Sequence, residues 1–162
     1  MSHEETTIIT EPPTSGSRTA KEAKKILVKN YSVEGFRETS DRTRRNLLVA
    51  FAKQGKVIYG KAFDLVKCSR NLNLDSRDEI RKQELDQIEI IEVKATRNSR
   101  VRPGFGNYFF SLSTAELLTA QSLGNQYHFV FVNIRTNEKC EMTLHQILSK
   151  AKNFYPTWSV TF

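Results

Sequence analysis

The sequence predicts an α/β fold, a small mixed sheet flanked by helices, and three observations predict it. Apolar residues recur at helical spacing in the sets Ala23, Ile26, Leu27 and Leu47, Leu48, Phe51. From Lys56 the period falls to two, with Val57, Tyr59 and Lys61 alternating against Ile58, Gly60 and Ala62. Residues 88–95 and 127–134 are then short apolar runs rich in β-branched and aromatic residues, the composition of buried strands.

Taken in order, residues 1–18 carry Pro12, Pro13 and a Thr/Ser/Gly run and read as a disordered tail ahead of one domain, 19–162. Thr19-Ala-Lys-Glu22 spells a capping box that would open a short basic helix. A second helix is expected from Ser40 or Asp41, with Gly55 as its left-handed terminator. Residues 56–66 read as a strand pair or one bent strand with Gly60 at the bend, and 69–85 as a polar connection in which Ser76-Arg-Asp-Glu79 could cap one turn. The run Ile88 to Ala95 is the strongest strand. Residues 96–108 form a basic loop expected to be mobile, with Arg97, Arg100, Arg102, Pro103, Gly104 and Gly106. Capping boxes at Ser113–Glu116 and Thr143–Gln146 open two further helices, the second stapled by Met142 and Ile147, on either side of a strand from Tyr127 to Ile134. The aromatic end, Phe154 to Phe162, is expected to pack on the body.

The chain has 162 residues, enough for one core without covalent staples, and its 38% hydrophobic content is that of a globular protein. Cys68 and Cys140 have no CxxC spacing, which gives neither a disulfide framework nor a zinc site and suits a reducing cytoplasm. No secretory signal or membrane-length apolar run is evident. The net charge is +7, a field that draws polyanions and places nucleic acid first among partners. A solvated basic surface without a partner is the competing reading.

Glu92-Val-Lys94 carries the chemistry. Residues two apart on a strand share a face, and an ionised pair inside an apolar run is costly unless it is paired or at work. A structural ion pair would account for these two alone. Phosphodiester hydrolysis, however, calls for a hard divalent cation held by one or two carboxylates, with a lysine to offset developing charge. A second carboxylate on a neighbouring strand is therefore needed, and Asp64, at the far end of an apolar run, is the candidate. Asp86 on an extended strand would lie about 20 Å from Glu92, too far to share an ion. Asp75 and Asp78 fall in the polar connection and read as solvated.

Asp64 with Glu92-Val-Lys94 resembles the signature of the PD-(D/E)XK nuclease superfamily, which covers restriction enzymes, homing endonucleases and junction resolvases. Ile91-Glu-Val-Lys-Ala-Thr96 followed by Ser111-Leu-Ser-Thr-Ala-Glu116, Ala120, Gly124 and Tyr127 resembles the nuclease-like domain at the C-terminus of plant NO VEIN proteins and in bacterial restriction systems. The likeness spans about residues 40–135. It implies a restriction-endonuclease-like α-β-β-β-α-β core, metal carboxylates at Asp64 and Glu92, and a catalytic lysine at Lys94. The implied activity is magnesium-dependent cleavage of double-stranded DNA, manganese substituting, by a restriction-type enzyme acting as a homodimer or higher homo-oligomer. A homing endonuclease or junction resolvase would use the same centre, and an inactive nucleic-acid-binding or interaction domain is the alternative. Phe63 stands where the signature has proline, and the acidic residue common on the first core helix has no clear counterpart, though Glu38 and Asp41 lie nearby.

The remaining residues divide between roles. Arg97, Arg100 and Arg102 suit contacts to DNA phosphates or base edges, or else form a solvated loop. Glu116 could be a metal ligand but is explained by capping its helix; Gln121 could position a phosphate but reads as surface. His128 and His145 lack metal-ligand spacing and read as structural, and His3 lies in the tail.

Overall fold

The computed structural model describes residues 15–76 and 80–155. Helix α1 (Ser15–Asn30) leads to strand β1 (Phe36–Glu38), helix α2 (Asp41–Lys53), strand β2 (Leu65–Lys67) and a one-turn helix α3 (Lys82–Leu85). Strand β3 (Glu89–Thr96), helix α4 (Thr114–Leu123), strands β4 (Tyr127–Asn133) and β5 (Glu138–Met142), and helix α5 (Leu144–Lys150) complete it. The strands form one sheet in the order β1-β2-β3-β4-β5. β2 is antiparallel to β1 and β3, β3 and β4 are parallel, and β5 returns antiparallel along β4. The architecture is thus α/β, a five-stranded mixed sheet flanked by helices.

β3 is central because both of its faces are apolar. Ile90 enters a cluster with Leu47 and Phe51 of α2, Leu123 of α4, Ile147 of α5, and Phe129 and Phe131 of β4. Ile91 and Val93 enter the opposite cluster with Ala23 and Leu27 of α1, Val130 and Val132. Each such side chain contributes roughly 1.5–3 kcal/mol by leaving water, so the two faces pin the strand's rotation. The parallel β3–β4 pair requires a crossover, which α4 supplies. Among the described residues no helix is long and apolar enough to cross a membrane.

Several elements depart from the expectation. Helix α1 starts at Ser15, so Thr19–Glu22 lies inside it and residues 15–18 are helical instead of tail. Residues 56–63 alternate like a strand but are outside the sheet. The Val57 N–H donates to Ser122 Oγ (2.6 Å) and the Tyr59 N–H to Thr119 Oγ1 (3.2 Å), so hydroxyls of α4 stand in for a ladder. Only Leu65–Lys67 is sheet here. Short β1 and charged β5 escaped the sequence reading, since neither shows a clean apolar alternation.

The polar connection is exposed at Asp75, as expected, and is also tied to α2. Asp75 accepts bonds from Ser40 and from Thr43 Oγ1 (2.6 Å), which hold its carboxyl below the usual range, and Asn46 Nδ2 donates to Leu74 O (2.8 Å) and Ser76 O (3.0 Å). Asp86 caps α3 and lies outside β3. Of the Ser76–Glu79 turn, residues 77–79, Asp78 included, lie outside the described residues, as do most of the tail and 156–162 of the aromatic end; Phe154 and Tyr155 are exposed instead of packed. Met142 and Ile147 are both buried, as a staple requires.

Two glycines at positive φ offer a controlled comparison. Gly55 follows α2 at φ +70° with open space where a Cβ would stand. Gly35, at φ +90°, enters β1, and its Cβ would come within 2.5 Å of Cys68 O. Gly55→Ala should therefore cost only the left-handed strain, about 1–2 kcal/mol. Gly35→Ala should cost clearly more, because the β1–β2 backbones must also part. Urea denaturation of the two variants measures the difference, and equal losses would remove the close approach as a constraint.

Candidate functional site

The site forms where β2 separates from β3. Asp64 immediately precedes β2, and its N–H still donates to Ile91 O (2.8 Å). Its carboxylate accepts the Val93 N–H at Oδ2 (3.1 Å) and Lys24 Nζ, from α1, at Oδ1 (2.8 Å). One side chain thus caps a β3 donor that the departing strand leaves open. Leu65 pairs with Ile91 and Val66 with Ile90, so the same register carried one residue further sets Asp64 opposite Glu92.

The segment leading into Asp64 is held by Arg44 of α2. Its guanidinium donates to Gly60 O (2.7 Å) and Phe63 O (2.9 Å) and lies 4.4 Å from the centre of the Phe63 ring. From below, the buried Tyr127 hydroxyl donates to Ala62 O.

Glu92 and Lys94 share the Ile90 face of β3, the side covered by α4. Lys94 Nζ lies 3.1 Å from Glu92 Oε1 and 2.8 Å from Glu116 Oε2. Glu116 does two jobs: its Oε2 also accepts the Ser113 N–H (3.1 Å), while Ser113 Oγ accepts the Glu116 N–H (3.2 Å). The expected capping box is present, and the same carboxylate makes the second wall around Lys94. Sequence spacing explained the cap completely and so concealed the ion pair. Lys24, on a helix whose site-facing side has no motif, carried no comparable signal.

These groups perturb one another strongly. Burial raises the Glu92 pKa to about 8; Lys94 opposes this, while Asp64 and Glu116 add to it. For Lys94 burial favours the neutral amine, but Glu92 and Glu116 outweigh it and the pKa is raised. Burial also raises the Tyr127 phenol, helped by the same three carboxylates. The centre is therefore short of positive charge: three carboxylates converge on two lysines, and one carboxyl resists ionisation.

Chemically, Asp64 and Glu92 offer the oxygen donors that a hard divalent cation takes while keeping most of its waters. The deficit of positive charge is what such an ion would relieve. Glu38 is exposed at the end of β1 and Asp41 in the first turn of α2; the acid that joins the site is Glu116. Gln121 is exposed.

The 96–108 segment is tethered instead of loose. The Arg102 N–H donates to Asn107 Oδ1 (2.7 Å), Asn107 Nδ2 to Arg100 O (3.2 Å), and Asn133 Nδ2 to Asn98 O (2.9 Å), while Val101 and Phe105 are buried. Arg97 pairs with Glu22 of α1; Arg100 and Arg102 are exposed. Among the described residues, the group of three metal-ligating types whose donor atoms all lie within 4.8 Å of one another is a different one, Glu89, His128 and Glu141. Spacing along the chain could not reveal it, because each residue comes from a separate strand. Comparison with family models, curated proteins and solved structures finds no match to this chain.

The Glu92 environment has a thermodynamic signature. A carboxyl whose pKa rises on folding, here from 4.5 to about 8, leaves stability intact below pH 4.5. The folded state then loses stability as pH climbs to about 8, above which the penalty is constant. Glu92→Gln removes that titration. In EDTA, the variant should match the parent near pH 4.5 and become the more stable protein as pH rises to 8. Melting temperatures of both across that range give the answer, and a gap that does not widen would contradict the burial argument.

Proposed function

We propose that this chain is a metal-dependent DNA endonuclease of the PD-(D/E)XK type. The observation that carries the reading is the convergence of Asp64 and Glu92, 28 positions apart in the chain, at one point on the β2–β3 edge with Lys94 beside them. The element order also supports it: α1, β1, β2, β3, α4 and β4 follow the α-β-β-β-α-β sequence of a restriction-endonuclease-like core. Here α1 is the first core helix, ahead of the 40–135 stretch of the sequence likeness, and α2, expected in that place, lies between β1 and β2.

Asp64 and Glu92 would hold magnesium, or manganese in its place. Bound there, such an ion supplies Lewis acidity toward a phosphate oxygen and a more acidic water. The chain's own residues do the rest. Lys94 is held beside Glu92 by two carboxylates, where its ammonium would offset negative charge gathering on phosphorus. Arg44 and Tyr127 keep the Asp64 backbone from drifting. Arg100 and Arg102 are free to meet DNA phosphates, and the net charge of +7 draws the duplex in. A homodimer with two-fold symmetry suits cutting both strands of a palindromic site.

One observation favours a second reading, a non-cutting nucleic-acid-binding domain: each carboxylate already has an internal lysine partner. Cleavage of supercoiled plasmid with magnesium separates the two. Asp64→Asn and Glu92→Gln should each lower turnover at least about a hundredfold, as loss of a transition-state contact does. DNA binding with calcium in place of magnesium should stay within a few fold of the parent. Absence of metal-dependent cutting by the parent protein would leave the binding reading.

The loop makes a separate prediction. Neutralising Arg97, Arg100 and Arg102 together should weaken DNA binding and reduce its logarithmic salt slope by about 2, one counterion each for Arg100 and Arg102, Arg97 being paired with Glu22. An unchanged slope would take the loop out of the interface.

A further inference from the structure

On the α1 face of the sheet, away from Glu92, Lys67, Glu89, His128 and Glu141 form a second cluster that the nuclease reading does not use. Glu89 opens β3, His128 is the second residue of β4, and Glu141 lies in β5. His128 Nδ1 is 2.8 Å from Glu89 Oε2 and 4.0 Å from Glu141 Oε2. Both Glu89 Oε2 and His128 Nδ1 are sealed from water, yet neither makes an aligned hydrogen bond. At 2.8 Å the imidazole Nδ1–H would ordinarily donate to the carboxylate, but the ring does not aim it along that line, so both buried atoms are left incompletely satisfied and close enough for one cation to serve.

The cation in place answers only part of that demand. Lys67 Nζ is 2.9 Å from Glu141 Oε2 and 3.6 Å from Glu89 Oε2, and Lys139 Nζ is 2.9 Å from Glu141 Oε1. Both ammonium groups serve carboxylates, and the imidazole nitrogen faces Glu89 at close range with Glu141 further off. We propose that Glu89, His128 and Glu141 form a binding site for a divalent transition-metal ion of the zinc class. One imidazole nitrogen and two carboxylate oxygens are a borderline set that zinc accepts with a further position left to water. Magnesium and calcium favour all-oxygen sets.

The site is built on strands, so the backbone positions of all three donors are fixed by the β3–β4–β5 ladders and only side-chain adjustment remains. The ion would displace Lys67 from the carboxylates; its Nζ already lies 5.4 Å from the centre of the Phe36 ring, an alternative resting place. Glu89 lies three residues before Glu92, hence on the other face and roughly 10 Å along the strand. Metal here braces the edge of the sheet and takes no part in phosphodiester chemistry.

The test is zinc chloride titration of the full chain by calorimetry, with melting temperature as a second readout. Parent and Asp64→Asn/Glu92→Gln double variant should both bind about one equivalent and gain melting temperature. His128→Gln should weaken that binding at least about tenfold. Glu141→Gln provides a second ligand variant should the first fail to fold, as judged by circular dichroism. Lys67→Met should tighten binding several fold by removing the competing ammonium, a gain that a purely structural ion cluster has no means to produce. Zinc binding that ignores His128→Gln and Glu141→Gln, disappears in the double variant, or weakens in Lys67→Met overturns the proposal. Because the double variant lacks the proposed nuclease carboxylates, failure there and failure here are told apart.

Discussion

Lys94 is the pivot of this structure. Its ammonium sits between Glu92 on the central strand and Glu116 on the crossover helix, in a region otherwise filled with isoleucine, phenylalanine and tyrosine. Neither carboxylate could stay ionised there unaccompanied, and taking charges out of water is repaid only where the geometry holds them. The two apolar faces of β3 provide that rigidity, and the Ser113–Glu116 cap delivers the third partner. The Glu92 ionisation and the link from β3 to α4 both depend on how this one cation is surrounded.

The same arrangement explains why the N-terminal helix belongs to the site. α1 packs its Ala23 and Leu27 on one face of the sheet, and Lys24 reaches the rim to meet Asp64. Arg97, just beyond β3, pairs with Glu22, two residues before Lys24. The helix therefore closes off the sheet's second face and also balances charge at the strand end. An α1 lacking these residues would still bury its apolar stripe but leave Asp64 with only the Val93 amide.

Legibility in the sequence tracked how local each signal was. β3, β4, the caps at Ser113 and Thr143, and the staple at Met142 and Ile147 were readable because a few neighbouring residues encode them. The proximity of Asp64 to Glu92 was readable because chemistry demanded a partner, although the strand assigned around Asp64 was too long. What failed depended on distant partners. Residues 56–63 mimic a strand while α4 hydroxyls take the Val57 and Tyr59 N–H groups, and the tie of the exposed Asp75 to Ser40 and Thr43 had no local signal. The Glu89, His128 and Glu141 group has no sequence spacing at all, since strand pairing assembles it. Lys24 and the ion-pairing role of Glu116 were hidden for the same reason.

The β2–β3 register ties the site to the core more closely than side-chain contacts suggest. Leu65 enters the cluster beneath α1, and Val66 enters the one beneath α2, α4 and α5. A shift of one residue would exchange these burials and at once turn Asp64 to the face opposite Glu92. A one-residue slip therefore cannot give a folded form with a misaligned centre: burying Leu65 and Val66 on their proper sides keeps Asp64 on the Glu92 face, and the observed register sets the two side by side. Alignment of the carboxylates is in this sense proofread by hydrophobic sorting. Insertions in the 69–88 connection leave it untouched, whereas one extra residue between Asp64 and Leu65 abolishes it without exposing any of the core.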